Sequence, residues 1–98
     1  MAYYVITRTY IEDHSLKDDV MALSTESAKI FLQQPGLIEM KSFVAENETH
    51  LLTYLVWENQ RSHLACMESK DFSEVTAQWT RFIKDAKIRF ELETYTLV

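Results

Sequence analysis

Trp57, His63 and Cys66 bring an indole, an imidazole and a thiol within ten residues of one another. An imidazole titrates near neutral pH and can move a proton, an indole can stack on a ring, and a thiol becomes a nucleophile once its pKa falls. Each also has a plainer use. Trp57 closes a strand, where it either packs or touches a substrate. His63 lies in a first helical turn, facing solvent or serving as a pocket base. Cys66 follows one turn later with no lysine cluster beside it, so a small buried apolar residue is its ordinary role. Trp79 repeats with Phe72, Val75, Phe82 and Ile83 at helical spacing, a core stripe that can double as the wall of a cleft. His14, His50 and His63 fall on three separate elements without ligand spacing, which argues against a metal site. The carboxylate pairs Glu12-Asp13 and Asp18-Asp19 belong to a loop and a helix start, where solvation and the helix dipole explain them.

The elements that must position these groups follow from periodicity. Ala2 to Ile11 alternates and is rich in β-branched and aromatic residues, which predicts a strand with Tyr3, Val5, Thr7 and Thr9 on one face and Tyr4, Ile6, Arg8 and Tyr10 on the other. Ser15 is the candidate N-cap of a first helix, with Asp18 three residues on. Leu16, Val20, Leu23, Ser27, Ile30 and Phe31 share that helix's inner face. Pro35 disfavours a helical Gln34, and Gly36 permits a positive φ, so the helix ends there. Strands are expected at Leu37 to Ala45 and His50 to Trp57, joined by a turn at Glu46-Asn47-Glu48-Thr49. A helical region runs from Asn59, a good N-cap, to Asp85, broken near Ser69, where Ser69 and Asp71 offer a second cap. Lys87 to Val98 alternates as a final strand.

The order β-α-β-β-α-β describes an α+β, ferredoxin-like fold: one antiparallel sheet with its helices on one face. The opposite face would carry Arg8, Glu39, Lys41, Arg89 and Glu91 beside Tyr4, Ile6, Tyr10 and Phe43. That mixture is too apolar to stay wet and too charged for a simple core. Burial against a second copy, with charges paired across the interface, would resolve both problems, so a homodimer is expected.

Length and composition limit the alternatives. A chain of 98 residues is one domain with a small core, which oligomerisation would help to stabilise. The net charge of −5, without a basic run or a glycine-rich phosphate loop, argues against nucleic acid as a partner. A single cysteine precludes an internal disulfide and fits a reducing compartment. The N-terminal stretch Met1 to Arg8 is too short and too polar for a signal peptide or a membrane span, so the cytoplasm is the expected location.

Pro35-Gly36 leading into the second strand, Val56-Trp57-Glu58-Asn59 closing the third, and the Ser69-Lys70-Asp71-Phe72 break resemble the antibiotic biosynthesis monooxygenase family of dimeric α+β barrels over nearly the whole chain. That resemblance implies oxidation of phenolic or quinol-type substrates by O₂ without metal or flavin. In members acting on aromatic polyketides the third strand carries an Asn, a Trp four residues later and a Tyr six beyond. Trp57 matches the Trp, whereas Thr53 and His63 stand at the other two positions. Thr53 can still donate a hydrogen bond, and His63 can accept a phenol proton near neutral pH. The haem-degrading members' Asn, Trp and His positions hold Thr7, Cys66 and Thr76, which speaks against haem chemistry. The expected site therefore has His63, Thr53 and Trp57 as catalytic groups, with Thr7, Cys66 and Trp79 lining a pocket for a small aromatic or quinol-like ligand and no cofactor. A non-catalytic, ligand-binding or stress-related dimeric barrel is the rival reading. An isomerase or lyase working by proton transfer in the same pocket is a third.

Overall fold

The computed structural model describes all residues, Met1–Val98. Strands β1 (Tyr3–Ile11), β2 (Leu37–Val44), β3 (His50–Trp57) and β4 (Ile88–Thr96) form one sheet in the order β2-β3-β1-β4, antiparallel throughout. Helices α1 (Lys17–Leu32), α2 (Gln60–Met67) and α3 (Lys70–Lys84) complete the β-α-β-β-α-β order expected of a ferredoxin-like α+β fold, the second helical unit being split in two.

The split has a local cause. Asn59 adopts an extended conformation and its side chain accepts a hydrogen bond from the Ser62 N–H at 2.9 Å, which starts α2. Ser69 accepts from the Phe72 N–H at 3.2 Å and starts α3. The first helix begins differently from expectation. Asp13, not Ser15, provides the cap, accepting from the Ser15 N–H at 3.0 Å. A short 3-10 turn at His14–Leu16 then intervenes, and α1 starts at Lys17 without a side-chain cap. Ser15 is a partner of the cap because Asp13 reaches forward to it, in the manner of an Asx turn.

Gly36 is the one position where backbone freedom is indispensable. Its φ is +88°, and a Cβ placed there would lie 2.3 Å from Ser62 Oγ. The turn out of α1 thus presses against the first turn of α2. The Gly36 carbonyl accepts from the Glu58 N–H at 2.8 Å, binding the two segments together.

Alternation on β1 and β3 decides where the core sits. Val5, Thr7, Thr9 and Ile11 face the helices, opposite Leu55, Thr53, Leu51 and Thr49 respectively or beside them in register. The buried apolar residues gather in two groups. Val5, Leu55, Trp57 and Cys66 form one, while Ile11, Val20, Leu51 and Ile88 form the other. Between them, at the middle of the sheet, the paired residues are Thr7 and Thr53. Together with the buried Thr9, these two threonines interrupt what would otherwise be a continuous apolar layer.

The other face carries the charges as expected, but they are paired within the chain. Arg8 meets Glu93, Lys41 meets Glu39 at 3.2 Å, and Arg89 meets Glu91 at 2.8 Å while its guanidinium lies 4.0 Å above the Tyr10 ring. The cross-interface pairing expected from the sequence is therefore not needed to neutralise this face. Arg8 reaches the diagonal neighbour of its register partner Glu91, a contact that cross-strand geometry allows to long side chains. No helix is long and apolar enough to cross a membrane.

Candidate functional site

A cavity of about 240 Å³ lies between the sheet and the three helices, over the Thr7–Thr53 pair. Val5, Leu51 and Leu55 flank the two threonines on the sheet side. Ser27 and Phe31 come from α1, His63 and Met67 from α2, and Phe72, Thr76, Trp79, Thr80 and Ile83 from α3. Phe90 and Leu92 of β4, both partly exposed, stand where the cavity opens. None of the 19 lining residues carries a fixed charge, and His63 is the only one that titrates near neutral pH.

Open space inside so small a domain has a cost. At about 24 cal/mol per Å³ a dry void of this size would forgo about 6 kcal/mol. Net stability of a domain is about 5–15 kcal/mol. The hydroxyl floor and the opening at β4 admit water and reduce that figure, but an unfilled centre is still not how a structural core is built.

His63 is 6% exposed. Its ring lies 5.6 Å from Tyr3 and 5.8 Å from Trp57, centroid to centroid. Nδ1 is sealed from solvent and has no hydrogen-bond partner. Burial pushes the imidazole below its usual pKa, with no opposing pull from a carboxylate. Its position in the first turn of α2 acts in the same direction, since the positive end of a helix disfavours a cation. His63 is therefore a neutral imidazole at physiological pH.

The residues singled out in the sequence divide into two sets. His63, Thr53, Thr7 and Trp79 are brought together on the cavity wall. Thr53 Oγ1 also lies 3.4 Å from the Ser42 hydroxyl, which holds it in the sheet plane's polar row. Trp57 and Cys66 are not on the wall. Trp57 is fully buried, edge-on to Phe31 at 6.3 Å, and its Nε1–H has no partner. It backs His63 and does not face the space His63 faces. Cys66 is packed in the same cluster, and burial pushes its thiol up to about 11, away from nucleophilic use.

Trp79 is fixed by a bond that spans the roof. Its Nε1–H donates to Ser27 Oγ at 2.9 Å, and Ser27 Oγ–H donates in turn to the Leu23 carbonyl at 2.8 Å. Ser27 was visible in the sequence only as a small polar residue on the inner face of α1. Thr80, Ser24, Phe90 and Leu92 also line the space without having been singled out for it. The alternation of β4 marks Phe90 and Leu92 as sharing a face, but not that a cavity lies against it. No group of three or more His, Cys, Asp or Glu side chains is arranged to hold a metal ion.

No protein-family model matches the chain, and no curated protein matches it. Solved structures do share its fold. SnoaB of Streptomyces nogalater, described as a cofactor-independent oxygenase, superimposes with a TM-score of 0.82 at 12% identity, over 99% of this chain and 93% of that one. A conserved protein of Methanosarcina mazei gives 0.85 at 15% identity, over 100% and 94%. A structure described as an antibiotic biosynthesis monooxygenase gives 0.80 at 17% identity, over 98% of each. The fold is that of the antibiotic biosynthesis monooxygenases, as the sequence resemblance implied.

Proposed function

We propose that this protein is a cofactor-independent monooxygenase acting on a small aromatic, phenolic or quinol-type substrate. The observation that carries the reading is the cavity itself: one neutral imidazole and two paired threonine hydroxyls under walls of Phe31, Met67, Phe72 and Trp79. A planar ring fits such walls, and its oxygen substituent finds an imidazole at His63 and hydroxyls at Thr7 and Thr53 on the floor and at Ser27, Thr76 and Thr80 on the helices. SnoaB, which has the same fold, is described as an oxygenase that needs no cofactor.

In this reading His63 meets the oxygen of the substrate, while Thr7 and Thr53 hold the oxygen species at the floor. Excluding water strengthens each of these hydrogen bonds. The electron-rich ring reduces O₂ directly. One oxygen atom enters the ring and the other leaves as water, all electrons coming from the substrate. The protein works in the cytoplasm as a homodimer, the sheet faces bearing Tyr4, Ile6, Leu52 and Tyr54 packed together.

A non-catalytic ligand-binding dimer is the second reading. The observation in its favour is that His63 Nδ1 lacks the carboxylate or carbonyl that usually steadies a catalytic imidazole. Oxygen uptake decides between them. The purified protein is given a panel of phenols and naphthoquinols in aerated buffer. The oxygenase reading expects uptake above the spontaneous rate that falls at least about tenfold in His63→Ala, a loss typical of a positioned polar group. Uptake at the spontaneous rate throughout, with ligands still bound, leaves the binder.

A further inference from the structure

We propose that Trp57 is a positioning residue for His63: its indole Nε1–H donates to Nδ1 of the imidazole, which holds that ring in place and keeps its single proton on Nε2. The pairing is a property of the two side chains and holds whatever occupies the cavity. It rests on the oxygenase reading only for what His63 then does in a reaction.

Only two side-chain nitrogen or oxygen atoms in the protein are sealed from solvent without a hydrogen-bond partner, Trp57 Nε1 and His63 Nδ1. They belong to adjoining rings, 5.8 Å apart between centroids and inclined at 58°. They are also complementary in kind. An indole nitrogen can only donate, and an imidazole Nδ1 accepts whenever the proton sits on Nε2. Left apart, each has lost its hydration for nothing; joined, both are satisfied.

The surroundings offer neither atom a better partner. Neither touches space that a water molecule could enter, so a bridging water has no room. The Tyr3 ring lies 5.6 Å from His63, but its hydroxyl is not among the sealed atoms and is met by solvent. Cys66 packs in the same cluster as Trp57, and a thiol sulfur is only a weak acceptor. No carboxylate, lysine or arginine acts on the imidazole, whose pKa is lowered by burial alone.

The bond asks little of the fold. Trp57 is fully buried at the end of β3, held edge-on to Phe31. The χ2 torsion of a histidine is soft, so a swing of the imidazole brings Nδ1 onto the indole N–H without moving α2. A centroid separation of 5.8 Å is within the span of two rings joined edge to edge by one N–H···N bond. Nε2 is not sealed and remains for the cavity that His63 lines. Trp57 thus gives Nδ1 the anchor that a carbonyl or carboxylate gives many functional histidines, with the sense reversed: those accept from Nδ1–H, and here Nδ1 accepts.

Nitrogen-15 spectra of the wild-type protein at about pH 8, where His63 is neutral, test this directly. A scalar coupling across the hydrogen bond should link Trp57 Nε1 to His63 Nδ1, with His63 in its Nε2–H form and the Trp57 indole proton slow to exchange. Trp57→Phe removes the donor. The His63 pKa should then rise by about one unit, a tenfold change in its protonation equilibrium, because a donor facing Nδ1 opposes the second proton. Trp79→Phe should leave that pKa where it is, since the Trp79 N–H is committed to Ser27. Phenylalanine also leaves space beside the imidazole or fails to support the fold. Replacing the tryptophans with benzothienylalanine, which carries sulfur in place of N–H at the same shape, repeats the comparison with the packing kept and should give the same rise. An absent coupling, an Nδ1–H tautomer, or an unchanged His63 pKa in the benzothienylalanine protein would overturn the proposal. The coupling present without any oxygen uptake on the phenol panel would leave it standing and sink the oxygenase reading alone.

Discussion

Trp79 and Ser27, 52 residues apart in sequence, are joined by a hydrogen bond of 2.9 Å that carries α3 across to α1 above the open centre of the protein. Ser27 is buried and has its own donor committed to the Leu23 carbonyl, so its oxygen has a defined lone pair to offer. Substituting Trp79→Phe should cost about 1 kcal/mol for the lost bond, as should Ser27→Ala. The double variant should cost less than the two added together, because each single change strands the other partner. Urea midpoints of the four proteins measure the coupling.

Gly36→Ala should destabilise by about 2 kcal/mol, since a non-glycine residue at φ +88° is strained and its Cβ would meet Ser62 Oγ. Adding Ser62→Gly removes the collision and leaves the backbone strain, so the pair should recover part of the loss. Full recovery would mean that the conformation itself costs nothing. Thermal melts of the single and double variants distinguish the two contributions.

Acid should weaken the fold through His63 before any carboxylate is involved. The unfolded imidazole takes up a proton below about pH 6.5, whereas burial holds the folded one below that value. Between those two pH values the unfolded state binds more protons, and stability rises with pH. It is therefore complete above about pH 6.5 and declines on acidification until the folded imidazole also protonates. The rings packed against His63 are those of Tyr3 and Trp57, and no carboxylate faces it to offset this. His63→Phe should flatten the dependence of the urea midpoint between about pH 5 and 7. The carboxylates Asp13, Glu48 and Glu93, all held below their usual range by hydrogen-bond partners, act only at lower pH.

Cys66 should resist a thiol-specific disulfide reagent at about pH 8 in the native state, because burial places its pKa at about 11 and no surface leads to the sulfur. Its labelling rate should follow unfolding, rising with denaturant in step with loss of structure. Immediate stoichiometric labelling would contradict the packing of Val5, Leu55, Trp57 and Cys66.

The proposed homodimer should withstand about 1 M salt, where screening acts within about 3 Å, because the charges of the sheet's outer face are satisfied within each chain. Leu52→Asp, at the centre of that face between Arg8 and Phe43, should instead yield monomers in sedimentation. A monomeric wild-type protein in dilute solution would remove the dimer from the proposal.

Much of this arrangement was legible in residue types. Alternation, and for β3 a run of β-branched, aromatic and leucine residues, placed every strand within a residue or two, and Asn59 and Ser69 announced their caps because capping is decided by neighbours in sequence. What escaped was decided by distance in space. The start of α1 depended on Asp13 reaching Ser15 around an intervening turn. Which tryptophan would line the cavity depended on how α3 lies over the sheet: Trp57 and Trp79 are equally plausible as walls in sequence, and only the second has open space before it. The pairing of Arg8 with Glu93 required the register of β1 against β4. Thr7 and Thr53 were expected at the site from the family resemblance, but that they are register partners on the cavity floor required the pairing of β1 with β3.

The interruption at Ser69 hangs the two sides of the chamber from different supports. His63 travels with α2, anchored through Asn59 to the end of β3, while Trp79 and Phe72 travel with α3. Residues along α3 beyond Phe72, which packs against the cluster holding Trp57 and Cys66, can thus be exchanged for larger or smaller ones with little effect on the imidazole. Such a scaffold can acquire new ligand preferences by point substitution on one helix while its imidazole corner is inherited unchanged.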